Sequence, residues 1–83
     1  MEKMIVEIQC PATSKSYEFR LSKKLSTTDG KEKIIDEIRT LEKNDKLFAD
    51  NVSIFSARTE CILNEKMTFS ENGVKSGDIL MII

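Results

Sequence analysis

The sequence predicts an α+β domain in which one helix packs across a mixed sheet of four to five strands, in the order β-β-α-β-β-β. Three observations point there. Two short segments rich in β-branched or alternating residues flank a polar turn near the start of the chain. One amphipathic stretch follows them. The segment 79–83 (ILMII) is apolar at every position, as a central strand covered on one face and partly covered on the other would be. With 83 residues the chain has room for one hydrophobic core, so residues 1–83 are read as one domain.

The elements follow in order. Residues 4–9 (MIVEIQ) form a strand with Met4, Val6 and Ile8 on one face and Ile5, Glu7 and Gln9 on the other; Cys10-Pro11 stops it. Residues 11–16 are small and polar and make a turn. Residues 17–22 (YEFRLS) alternate strictly, sending Tyr17, Phe19 and Leu21 inward, and close an antiparallel hairpin. A polar connection over 23–29 carries Leu25. Asp29 is read as the helix cap, with Glu32 three positions later. The helix then spans 30–43, with Ile34, Ile35, Ile38 and Leu41 as its apolar stripe and a mixed, solvated charged face opposite. In the 44–51 loop Leu47 and Phe48 turn inward. Residues 52–56 and 60–64 are short strands about a turn at 57–59. Met67, Phe69 and Val74 are core contacts in an irregular segment, and Gly77-Asp78 turns into the last strand.

Composition narrows the function. Thirteen lysines and arginines against fourteen aspartates and glutamates leave a net charge of −1. That balance argues against a nucleic-acid binder, which needs excess positive charge to displace phosphate counterions, and against electrostatic docking on anionic membranes. The cluster Lys23, Lys24, Lys31 and Lys33 is interrupted by Asp29 and Glu32. No apolar run is long enough to span a bilayer, and Met1-Glu2-Lys3-Met4 lacks the layout of a secretory signal, so a cytoplasmic protein without membrane insertion is expected. There is no histidine, which removes the usual proton acceptor of serine or cysteine nucleophiles. With no histidine, Cys10 and Cys61 are too few for a zinc site of the cysteine/histidine kind, and the three glycines form no phosphate-binding loop. A non-enzymatic protein with no cofactor is expected. The two cysteines are read as small packed side chains at strand positions, both free rather than bridged.

One stretch carries a specific resemblance. Thr68-Phe69-Ser70-Glu71-Asn72-Gly73-Val74 resembles the ubiquitin segment T-L-S-D-Y-N-I, and Gly73-Val74 with Gly77-Asp78 matches the glycine pattern that leads many ubiquitin-like proteins into their final strand. The element order is that of a ubiquitin-like β-grasp domain. Two features depart from ubiquitin: the connection between Ser22 and the helix is several residues longer than usual, and Ile83 stands where a tail ending Gly-Gly would continue. A protein modifier or sulfur carrier is therefore not expected. Among ubiquitin-like proteins without that tail, the sequence resembles the YukD-like family, through its length and the segments Phe19-Arg20-Leu21-Ser22 and Lys33-Ile34-Ile35-Asp36. That resemblance implies a small accessory protein of a bacterial type VII secretion system, with a protein partner such as the system's ATPase or another component. A stand-alone ubiquitin-like adaptor of another pathway is the alternative, and a protein modifier or sulfur carrier lacking its Gly-Gly tail ranks behind it.

The β-grasp layout puts the first and last strands side by side, with the third flanking the last. If Leu80 and Ile82 face the helix, then Ile79, Met81 and Ile83 face away from it, beside Ile5 and Phe55. Ile5, Phe55, Met81 and Ile83 are the candidate partner-binding residues, since a contiguous apolar patch is unusual on a monomer. Two rival fates exist for this patch. Arg20, Lys66 or Glu7 could lie across it, or a homodimer could cover it about a two-fold axis.

Overall fold

The structure is a computed structural model and describes residues 3–49 and 51–83. Met1 and Glu2, and Asp50 of the expected 44–51 loop, lie outside the described residues. The elements are β1 (Lys3–Cys10), β2 (Lys15–Ser22), α1 (Thr27–Glu42), β3 (Ile54–Ser56), β4 (Cys61–Ile62) and β5 (Ile79–Ile82). They form one five-stranded sheet in the order β2-β1-β5-β3-β4, with β1 and β5 parallel and the other neighbours antiparallel. This is the predicted mixed sheet with one helix.

Alternation sets the core. Met4, Val6, Ile8 and Cys10 of β1, Phe19 and Leu21 of β2, Ile54 of β3 and Leu80 and Ile82 of β5 all turn to one face, where Ile34, Ile35 and Ile38 of α1 meet them with Phe69. Phe48 and Val74 close the ends of this core, and Leu47 packs against it. The hairpin turn is tighter than predicted. Lys15 and Ser16 pair with Cys10 and Gln9, and Ser14 takes a left-handed conformation (φ 58°) to complete the reversal.

The helix start needs correcting. Ser26 is the cap, not Asp29. Its backbone is extended (ψ 151°) and its Oγ accepts the Asp29 N–H at 3.1 Å, which leaves Asp29 inside the first turn. The helix therefore begins at Thr27, and the long connection after Ser22 is absent. A contact distant in sequence fixes this start: the Thr27 N–H and hydroxyl both donate to the Met67 carbonyl, at 3.0 and 2.8 Å.

Leu41 is the second correction, because it is 64% exposed rather than part of the buried stripe. The last helical turn meets the sheet through Glu42 instead, one position and about 100° around the helix. Glu42 Oε2 accepts the Tyr17 hydroxyl at 2.8 Å and Oε1 accepts Lys15 Nζ at 3.0 Å. These bonds from Tyr17 and then Lys15 hold the Glu42 carboxyl below its usual pKa. Beyond it Lys43 adopts a left-handed conformation and ends the helix, its N–H turned back to the Arg39 and Thr40 carbonyls.

Candidate protein-interaction face

The sheet face away from the helix is built from the residues that alternate with the core. Its register resolves into two rows. In one, Met81 of β5 stands between Gln9 of β1 and Phe55 of β3, and Phe55 in turn pairs with Ile62 of β4. Met81, Phe55 and Ile62 therefore form an apolar row across three strands. In the next row Ile79 of β5 pairs with Glu7 of β1, and Glu7 pairs with Glu18 of β2.

The structure brings together part of the predicted patch. Phe55 and Met81 are directly opposed, and Ile83 follows just past the end of β5, joined to Ser53 by two backbone hydrogen bonds of 3.0 Å. Ile5 stands apart from this group. Its carbonyl accepts the Gly77 N–H at 2.7 Å, so it lies level with the start of β5 while Ile83 lies beyond its end. Ile62 joins the row although sequence reasoning gave it no face. The signal was weak, because β4 holds only two residues and offers no alternation, but Leu63 turning into the core obliges Ile62 to face out. Ile62 and Ile83 are more than half exposed and Ile5 and Ile79 are 38% exposed.

The sheet face divides by polarity. Over β5, β3 and β4 it is hydrocarbon; over β1 and β2 it carries Glu7, Gln9, Ser16, Glu18 and Arg20. An open cleft of about 370 Å³ lies in this second half, with Ile5, Glu7, Ser16, Glu18 and Gly77 among its lining residues. Glu7 accepts a long hydrogen bond of 3.4 Å from Gln9.

Below the face, a charged clasp fixes the approach to β5. Asp78 is buried, and both its carboxylate oxygens accept Arg58 Nε, at 3.0 and 3.2 Å; Oδ2 also takes the Lys75 N–H at 2.9 Å. Arg58 reaches on to the Gly73 carbonyl. Burial pushes the Asp78 pKa up, but the Arg58 and Lys75 hydrogen bonds outweigh it and hold the carboxyl below its ordinary value.

The other expected features fall elsewhere. Within the predicted basic cluster, Lys31 is engaged with the Val52 carbonyl at 3.0 Å and Glu65 at 2.7 Å. Cys10 is buried at the end of β1, as a packed thiol should be. Cys61 is exposed on β4, so the packed reading fails for it. Both are free. Among the described residues no group of three or more cysteines and carboxylates is placed to hold a metal ion, and no helix is long and apolar enough to cross a membrane.

No family model matches the chain, and no curated protein matches its sequence. Solved structures do match. The fold they share defines a ubiquitin-like β-grasp domain. The ubiquitin-like domain of the Mycobacterium tuberculosis type VII secretion system protein ECCD1 superposes with a TM-score of 0.77, covering 100% of this chain and 99% of that one at 11% identity. A chain of the ESX-5 inner membrane complex gives a TM-score of 0.72 at 16% identity, over 100% of this chain and 21% of its own length. A ubiquitin-like protein from Trypanosoma brucei gives 0.73 at 16% identity, over 99% and 94%.

Proposed function

We propose that this protein is a non-catalytic interaction module, a small ubiquitin-like accessory protein of a bacterial type VII secretion system. It acts in the cytoplasm on a protein partner such as the system's ATPase or another of its components. The observation that carries the reading is the apolar row Met81–Phe55–Ile62 on an open sheet face, flanked by Ile79 and Ile83. The short segments resembling the YukD-like family and the likeness to the ECCD1 domain support the choice of pathway. The partner surface is Phe55, Met81 and Ile83, with Ile5 at its margin. Apolar anchors at the centre of an interface carry most of its binding energy. Met81→Asp is therefore expected to weaken association by at least ~2 kcal/mol while leaving the fold intact.

The test is affinity capture with the wild-type and Met81→Asp proteins, read against the membrane components of the secretion system, with sedimentation of each protein alone. Loss of a secretion-system component with the variant supports the reading. Capture of the same component by both proteins removes the sheet face from it. Capture of components of another pathway favours the stand-alone adaptor.

A further inference from the structure

Two glutamates face each other on this sheet. Glu7 and Glu18 are register partners in the β1–β2 hairpin, and both point to the open face. Like charges directly opposite in an antiparallel pair destabilise it. Among the described residues neither carboxylate has a lysine or arginine within ion-pairing distance. Arg20 stands on the same face, but opposite Ile5 in the next row. The two carboxylates wall the open cleft between β1 and β2, and Glu7 is the direct neighbour of Ile79 at the edge of the apolar half. Among the described residues, this pair of negative charges thus stands without an ion-pair partner beside the exposed hydrocarbon.

We propose that the occupant of this face is a basic, amphipathic segment of another protein. It sets one lysine or arginine into the cleft between Glu7 and Glu18 and an apolar side chain over Met81 and Phe55. The proposal rests on the interaction-module reading and names the chemistry of the partner. The geometry fixes the spacing as well. From the middle of the glutamate pair to the middle of the Met81–Phe55 pair is two strand spacings across and one row along, roughly 12 Å. That is two turns of a helix, or four residues of an extended segment.

The test uses synthetic helical peptides of one apolar sequence that differ only at the position two turns from the anchoring leucine: lysine, glutamine or glutamate. Binding is followed by amide shifts of the labelled full chain. The lysine peptide is expected to shift Glu7, Glu18, Ile79 and Met81 and to bind at least ten times more tightly than the glutamate peptide. Glu18→Lys is expected to weaken the lysine peptide at least tenfold while raising the urea midpoint of the free protein, because it turns a repulsive pair into an attractive one. A structural role for the carboxylates would instead lower that midpoint. If all three peptides bind equally and Met81→Asp abolishes their binding, the basic partner is wrong and the interaction face stands. If no peptide binds, or Met81→Asp leaves binding unchanged, both readings fall. A wild-type chain that sediments as a dimer through this face also overturns the proposal.

Discussion

Gly30 faces the ring of Phe69 so closely that a methyl group on its Cα would overlap Cε2 and lie 2.5 Å from Cζ. Phe69 is fully buried and cannot swing away. In an ordinary helix, replacing glycine with alanine gains about 1 kcal/mol. Here the added methyl overpacks the core, and Gly30→Ala is expected to destabilise the protein by about 1–3 kcal/mol in urea denaturation. Combined with Phe69→Leu, the same change should cost much less than it does alone. Additive losses would mean that the ring and the glycine do not share this space.

Leu41 and Ile38 separate a surface apolar residue from a core one on the same helix. Ile38→Ala should cost roughly 2–4 kcal/mol, the range for emptying a buried aliphatic site. Leu41→Ala should cost under about 0.5 kcal/mol, as surface changes do. Equal losses would place Leu41 in the core after all.

The Arg58–Asp78 clasp predicts an acid-sensitive step in stability. The folded Asp78 pKa is depressed below its ordinary 3.8, so folding favours the ionised carboxylate. Its contribution is complete above the unfolded pKa and is lost as pH falls through the folded one. Urea midpoints should therefore fall between about pH 5 and pH 2 in the wild type. Asp78→Asn should be less stable at neutral pH and show a shallower fall. A parallel fall in both proteins would assign the acid sensitivity to other carboxylates.

The thiols should differ in reactivity. Cys61 is exposed and is expected to react with a thiol reagent in the folded protein; Cys10 is buried and should react only on unfolding. One fast equivalent and a second that appears with denaturant is the expected titration. Two fast equivalents would show that β1 does not bury its last residue.

What the sequence made legible was whatever period and burial dictate locally. Strict alternation in Tyr17, Phe19 and Leu21 and the β-branched run before it assigned both faces of the hairpin correctly. The helix start was not legible, because Ser26, Thr27, Thr28 and Asp29 are all competent caps. The choice among them is made by Met67, 40 residues away, whose carbonyl holds Thr27. Ser26→Ala should accordingly cost about 1 kcal/mol, more than Asp29→Ala. The glutamate pair was hidden for a related reason. Glu7 and Glu18 each read as facing outward, but their opposition depends on the hairpin register, which a four-residue turn sets. Ile62 escaped assignment because two residues cannot display a period.

The parallel pairing of β1 with β5 bears on how the chain is made. Ile5 donates its N–H to Ser76 Oγ, 71 positions later, and Glu7 donates to the Asp78 carbonyl. The centre of the sheet therefore cannot close until residues 79–82 have left the ribosome. Until then the nascent hairpin carries Met4, Val6, Ile8, Phe19 and Leu21 on a face with no cover, and the free edge of β1 offers its backbone to any passing strand. The decisive step in folding this domain waits for its last strand, and it is slow relative to helical proteins of similar size, since the central contacts are the most distant ones.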